Sequence, residues 1–245
     1  MTKALEKERE INELKSRIVL NVSHGFKTPL TSILSSAQLL LLYAEKEHPF
    51  KQKISKHASK IEHSVRTLNN LLTSVLFFGK ADENKLEFKP KKIFAGAFVK
   101  ELLDTVNAGI ENDVVIKSEI GDLPKTITSD PELVYQVFEN LLSNAVKYSK
   151  DGKQVDFSFK VENNQIKATI SDKGIGIPKA EQGKLFDRFF RAGNVGITEG
   201  SGLGLSIVKK CLEVLHGEIT FESEAGKGTV CLLYTSPSPR DRTRS

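Results

Sequence analysis

The strongest chemical signal in this sequence is a set of four polar residues, Asn140, Asn144, Lys147 and Tyr148, inside an otherwise apolar stretch. Offsets of four, seven and eight residues from Asn140 place two amides, an ammonium and a phenol on one stripe of a helix. Val137, Leu141 and Leu142 already supply that helix with a core side. Two amides buried without partners would cost about 1–3 kcal/mol each, so the stripe is expected to face a polar ligand. Two glycine clusters follow. Ser171-Asp172-Lys173-Gly174-Ile175-Gly176 closes an expected strand, offering a carboxylate at its end and two glycines that let backbone approach a ligand closely. Gly200-Ser201-Gly202-Leu203-Gly204 runs straight into an expected helix, so free backbone amides and the positive helix end point at one spot suited to an anion. Leu205 stands where a dinucleotide fingerprint needs its last glycine, and no Gly-x-x-x-x-Gly-Lys-Ser/Thr loop occurs, so any nucleotide site here uses another architecture.

A second reactive candidate lies far upstream, in Val22-Ser23-His24-Gly25-Phe26-Lys27-Thr28-Pro29-Leu30. His24 and Thr28 are one helical turn apart, off the apolar face. A neutral imidazole is nucleophilic near pH 7, whereas a lone helix histidine is ordinarily just solvated. Pro29 lacks a backbone donor and crowds the preceding turn, which predicts a bend and a hinge.

The elements that position these groups can be read from periodicity. Ile11, Leu14, Ile18, Val22, Phe26, Leu30, Ile33, Ala37 and Leu40 recur every three or four residues along one helix face. After Glu45–Phe50 a second helix carries Ile54, Ala58, Ile61, Val65, Leu68, Leu72 and Val75 at coiled-coil spacing. Such a hairpin cannot bury its apolar stripe alone, which predicts dimerisation into a four-helix bundle. Polar residues around Gly79–Lys85 read as a linker. Beyond it, strands are expected at 114–116, 155–161, 166–170, 218–221 and in a run ending near Val230, with Glu162-Asn163-Asn164-Gln165 as a hairpin turn. The helix between Thr128 and Ser149 has Asp130 to cap it, Pro131 at its first position and Glu132 to complement its dipole. A helix after Gly204 is expected to end at His216-Gly217, with Gly217 as C-cap. The order predicts an α+β chain: a helical hairpin, then an α/β sandwich with one mixed sheet covered by helices on one face.

Composition narrows the class. With 245 residues, 39% hydrophobic and 27% charged, the sequence reads as globular and able to form two modest domains. Its longest apolar run, Leu39–Ala44, is far short of a membrane span, and Met1–Glu6 lacks a signal-peptide core. The expected location is cytoplasmic, with membrane contact only through a segment preceding Met1. Cys211 and Cys231 have no neighbour at disulfide-framework or zinc spacing. Of the net charge of +5, two units come from Arg240, Arg242, Arg244 and Asp241, and the remainder is too evenly spread to argue for nucleic acid. The run Cys231–Asp241 resembles the conceptual translation of a transposon-type sequencing adaptor, so residues 231–245 are expected to be non-native and Val230 to end an edge strand.

Together and in this order, the motifs resemble those of the sensor histidine kinases of two-component signalling, from about Leu14 to Thr229. Ser23–Leu30 resembles the phosphoacceptor box, Asn140–Ser149 the asparagine box, Asp172-x-Gly174-x-Gly176 the first glycine box, Leu185–Phe190 the phenylalanine box and Gly200-x-Gly202-x-Gly204 the second glycine box. The resemblance implies the end of a signalling coiled coil at 1–14, a dimerisation and phosphotransfer domain at 15–80, a linker at 81–91 and a catalytic ATP-binding domain at 92–230 of the histidine kinase, chaperone and topoisomerase type. It implies that His24 takes the γ-phosphoryl group of ATP and passes it to an aspartate of a response regulator receiver domain, within a homodimer. Asn140, Asn144, Lys147, Tyr148, Asp172, Gly174, Gly176, Gly200, Gly202, Leu203, Gly204 and Thr229 would line the ATP site. Asn144 would hold Mg2+, Asp172 would read the adenine amino group, and Phe189–Ser201 would form a lid. Mg2+ keeps several waters and needs few protein ligands, which agrees with one amide oxygen. Hydrolytic relatives carry a glutamate at the position of Asn140, so a hydrolytic clamp is disfavoured.

One position departs from the pattern. The residue after the family's histidine is nearly always acidic and takes up the imidazole proton, whereas here it is Gly25. Loss of such a base costs roughly 10²–10⁴ in rate, which predicts a weakened autokinase with Thr28 still able to orient water. The alternative is an ATP-binding dimeric scaffold or phosphatase-biased pseudokinase of the same family, and a one-base sequencing error in the codon is a further source of the glycine.

Overall fold

The computed structural model describes residues 23, 25–43, 51–82, 86–110, 114–149, 154–196 and 200–235. The chain divides into two compact units, with the break at Gly79/Lys80. His24, the 45–50 segment and residues 236–245 lie outside the described residues.

The first unit contains two helices, α1 (residues 25–43) and α2 (Lys51–Asp82). Helical assignment runs through Pro29, which is buried. Pro29 and Ser36 of α1 and Ser64 and Leu71 of α2 are the buried positions, with Ile61, Leu68 and Val75 half-buried beside them. The other apolar positions point elsewhere: Leu30, Leu34, Leu41, Ile54, Val65, Leu72 and Leu76 are exposed, Leu41 at 68% and Leu76 at 59%. The heptad seam therefore splits into a stripe packed within the unit and a stripe left open on it. Gly25 belongs to the packed side. A Cβ added there would lie 3.1 Å from Leu71 Cδ2.

The second unit is the α/β sandwich. Its large sheet has the order β2 (Val115–Ile120), β4 (Gln154–Glu162), β5 (Gln165–Asp172), β7 (Gly228–Tyr234), β6 (Glu218–Glu224). β2 and β4 run parallel and the other pairs antiparallel, so the sheet is mixed, as expected. The helices α3 (Ala95–Ala108), α4 (Pro131–Tyr148) and α5 (Gly204–Val214) bury one face each. The alternation of β4 sends Val155, Phe157 and Phe159 inward, where Phe138 of α4 and Phe98 of α3 meet them, Phe138 and Phe159 with ring centroids 5.4 Å apart. Burying each such ring contributes about 1.5–3 kcal/mol, which makes this cluster the anchor of α4.

A small antiparallel sheet of β1 (Lys91–Phe94) and β3 (Thr126–Ser129), together with α3, adds to the elements expected from the sequence. Four-residue strands give too short an alternation to see. The Asn163-Asn164 turn takes φ of 51° and 59°, the left-handed pair a tight hairpin needs. Asn164 then grips β3 with both ends of its amide: Oδ1 accepts from Thr128 N at 3.1 Å and Nδ2 donates to Thr128 O at 3.3 Å.

Two expectations need correction. The last strand passes Val230 and runs to Tyr234 between β5 and β6, so it is an interior strand rather than an edge. Cys231-Leu232-Leu233-Tyr234 alternates well enough to pair, with Leu233 1% exposed and Thr235 Oγ1 accepting from Ile166 N at 3.0 Å. At the end of α5, the C-cap is Leu215, and His216, not Gly217, takes the left-handed φ of 50°. Gly217 is required for closeness instead: a Cβ there would stand 2.7 Å from Tyr234 O. No described helix is long and apolar enough to cross a membrane.

Candidate functional site

Helix α4 begins as its sequence predicts. Asp130 Oδ1 accepts from the backbone of Glu132 at 3.0 Å and Leu133 at 3.1 Å, and its Oδ2 accepts from Lys89 N at 2.8 Å. With Leu133, Val137, Leu141 and Leu142 buried, the helix turns Asn140, Asn144, Lys147 and Tyr148 to a half-buried stripe, as the spacing requires. Asn140 is tied by donating Nδ2 to Gln136 O at 2.7 Å. Opposite it lies the start of α5: a Cβ on Gly204 would fall 2.7 Å from Asn140 Oδ1 and 3.8 Å from Asn144 Nδ2. The two amides and the N-terminal turn of α5 therefore converge, with glycine leaving the space between them.

The first glycine cluster closes another side. Gly174 N donates to Asp172 Oδ1 at 2.8 Å and Ile175 N to Tyr148 O at 3.2 Å, so the loop is fastened to the end of α4. A Cβ at Gly174 would overlap Tyr148 O at 2.1 Å. Gly176 has φ of 58°, and a Cβ there would overlap Glu224 O at 1.9 Å. These two glycines cannot be replaced without moving backbone. Asp172 pairs with Thr229 across β5 and β7. Burial pushes the Asp172 carboxyl up, and backbone hydrogen bonds from Gly174 and Thr229 pull partly back. Burial likewise raises the Tyr148 phenol, against the nearby positive charge of Arg191. The Lys147 ammonium lies 5.4 Å from the Tyr148 ring centroid.

The second cluster is held by Phe189. That residue takes a left-handed φ of 58°, uncommon for an aromatic side chain, and a Cβ on Gly202 (φ 70°) would be 2.7 Å from Phe189 C. Leu203 is completely buried, so its side chain belongs to the core. Its backbone oxygen accepts from Ile207 N at 2.9 Å and Ser206 Oγ at 2.7 Å. Gly200 is exposed, and part of the expected lid, residues 197–199, lies outside the described residues. Thr28 sits on α1, exposed, while His24 is not among the described residues.

Asn140, Asn144, Lys147, Tyr148, Asp172, Gly174, Gly176, Gly202, Gly204 and Thr229 are thus arranged around the ends of α4, β5 and α5. Among the described residues no three His, Cys, Asp or Glu side chains gather as metal ligands. A neutral amide donor set suits a hard cation that draws its remaining ligands from water and phosphate. Spacing alone did not reveal Ser223, whose Oγ accepts from Ile177 N at 2.9 Å, Gln182 and Asn194, which donate to the carbonyls of Ile177 and Gly176, or Glu181, which accepts from Gly193 N. Their partners are backbone atoms between 5 and 46 residues away, which no local pattern marks.

Comparisons with known proteins bear on the two units as a whole. Residues 14–84 match the His Kinase A (phospho-acceptor) domain, and residues 129–239 match the histidine kinase-, DNA gyrase B- and HSP90-like ATPase. The sensor histidine kinase WalK of Bacillus subtilis is 31% identical over 235 residues, covering 94% of this chain and 38% of its own length. The chain belongs to the sensor histidine kinases. A WalK of Staphylococcus aureus is 32% identical over 91% of this chain and 54% of its own. The chain thus spans about two fifths to one half of these relatives. Two solved structures share the fold: histidine kinase AdeS of Acinetobacter baumannii, with 20% identity, TM-score 0.60 and coverage of 88% of this chain and 98% of that one; and full-length ShkA in complex with AMPPNP, with 21% identity, TM-score 0.60 and coverage of 91% and 47%.

Proposed function

We propose that this chain is the kinase portion of a sensor histidine kinase, which binds ATP with Mg2+ and autophosphorylates on His24. The observation that carries the reading is the convergence of the Asn140 and Asn144 amides on the glycine-opened start of α5, with the Asp172 loop fastened to the end of the same helix α4. In this assignment Asp172 accepts a hydrogen bond from the adenine amino group, next to Thr229. The N-terminal amides of α5 meet the phosphates, where the helix end favours negative charge. Lys147 and Tyr148 border the same space, with Gly174 and Gly176 giving the nucleotide close access to backbone. Asn144 offers its side-chain oxygen to Mg2+, which when bound would neutralise phosphate charge.

A ring nitrogen of His24 forms the new N–P bond as the bond between the γ-phosphorus and the ADP oxygen breaks. Gly25 has no side chain to take the imidazole proton, which passes to solvent, and this slows the step. The phosphoryl group then moves from the His24 nitrogen to a receiver-domain aspartate of a response regulator, and Thr28, one turn from the histidine, is placed to orient a water that hydrolyses the aspartyl phosphate to aspartate and inorganic phosphate. Two copies join through the exposed leucine stripe of α1 and α2 into a four-helix bundle, which supplies the missing apolar partner. The catalytic unit works on the cytoplasmic side, where ATP is available. Incubation with γ-labelled ATP tests the reading: acid-labile label is expected on the wild-type chain and absent from the His24→Ala and Asn144→Ala variants. Undiminished label on His24→Ala would reject it.

A further inference from the structure

Three short elements close a ring of hydrogen bonds around the first glycine loop. The turn Lys179–Lys184 lies directly after it, and the turn Gly193–Val195 reaches it from further along the chain. Glu181, in the first turn, accepts with Oε2 from Gly193 N at 2.9 Å. Beside Gly193, Asn194 donates Nδ2 to Gly176 O at 2.8 Å and lies 3.4 Å from Ile175 O. Gln182 donates Nε2 to Ile177 O at 3.1 Å and to Ser223 O at 2.9 Å. From the opposite side, Gly226 N donates to Ile175 O at 2.7 Å. Immediately past the clasp, Gly196 takes φ of 56° and ψ of −136°, a conformation open essentially to glycine.

We infer that Asn194, held in place by Glu181, is a positioning residue for the nucleotide-facing loop. This rests on the assignment of Gly174 and Gly176 to the ATP site. A trans peptide is planar, with its carbonyl and its N–H pointing in opposite directions. Holding the Ile175 carbonyl toward Gly226 and Asn194 therefore turns the Gly176 N–H the other way. Holding the Gly176 carbonyl toward Asn194 does the same for Ile177 N–H, which meets Ser223 Oγ. Gly176 has no Cβ to restrict its own rotation, so orientation of these two peptide planes depends on the groups that grip their oxygens. Asn194 is the one side chain that reaches both of these carbonyls among the described hydrogen bonds. Glu181 acts through it, by fixing the adjoining Gly193 amide.

The test uses the full chain and equilibrium binding of AMPPNP with Mg2+, well below the unfolding midpoint, so that changes in global stability do not enter the affinity. Asn194→Ala and Glu181→Ala are expected to weaken binding about fivefold to tenfold each, the worth of one hydrogen bond at the site. Their combination is expected to lose scarcely more than either alone, because the two side chains act as one device. Glu181→Gln keeps an oxygen acceptor for Gly193 N and is expected to bind within about twofold of wild type. Should Asn194→Ala fail to fold, the contrast between Glu181→Ala and Glu181→Gln decides alone. Wild-type affinity in both alanine variants, with binding lost in Asn144→Ala, overturns the clasp while leaving the nucleotide site standing. Equal loss in Glu181→Ala and Glu181→Gln also overturns it. Unchanged binding in Asn144→Ala removes the site assignment itself, and the clasp with it.

Discussion

Gly204→Ala separates the stability of the sandwich from the geometry of its site. The new methyl would stand 2.7 Å from Asn140 Oδ1 and 3.6 Å from Asn140 Cγ, so the Asn140 amide must move. Moving it strains or breaks the Nδ2 bond to Gln136 O, at a cost of about 0.5–1.5 kcal/mol. Against this, alanine in place of a helical glycine stabilises by up to about 1 kcal/mol, less in a first turn. The two nearly cancel, and the unfolding midpoint should shift by no more than about 4 °C. Affinity has no such compensation. The displaced amide and the added methyl both enter the space between Asn140, Asn144 and the start of α5, and AMPPNP binding should weaken by at least about tenfold, as for an interaction worth roughly 1.4 kcal/mol. Gly96→Ala is the control, since no atom lies within 4 Å of a Cβ built there in α3. It should raise the midpoint and leave affinity alone. Wild-type affinity in a folded Gly204→Ala chain would show that ligand does not occupy the space beside Asn140.

Three further outcomes follow from the same geometry. Gly25→Glu restores a base beside His24 and should raise the autophosphorylation rate by about 10²–10⁴, provided Leu71, 3.1 Å from the new Cβ, yields a few tenths of an ångström; an unchanged rate of labelling would contradict the role given to that position. The raised Asp172 pKa means that this group's stabilising contribution is full below its unfolded value and is lost as pH rises through its folded value. Asp172→Asn removes that loss, so urea unfolding should show the variant gaining on wild type between acid and neutral pH, and a constant difference would count against it. Burial pushes both Cys211 and Cys231 thiols to about 12, so at pH 8 only about one in 10⁴ is thiolate and iodoacetamide should label neither until the protein is unfolded.

Much of the α/β unit is legible in the sequence. Asp130, Pro131 and Glu132 announce α4 because capping is local chemistry, and the amide stripe follows from a period the helix cannot avoid. The long strands β4 and β5 declare themselves through alternation, and Asn163-Asn164 through its tolerance of left-handed backbone. What stayed hidden is non-local. The β1–β3 pair is too short to show a period, and the interior place of β7 depends on crossover topology. The grip of Asn194 on the glycine loop spans 18 residues, and the Gln182 contact with Ser223 O spans 41. In the helical unit, the heptad pattern revealed an apolar seam but not its division, since Leu71 packs inside and its neighbour Leu72 stays exposed.

The most direct test of the central claim is the chemical nature of the phosphoryl linkage. Phosphorus NMR of the denatured chain after incubation with ATP and Mg2+ distinguishes a phosphoramidate from a phosphoester. A phosphoramidate resonance is expected, lost in His24→Ala and strengthened in Gly25→Glu. A phosphoester, or a phosphoramidate that survives His24→Ala, would contradict it.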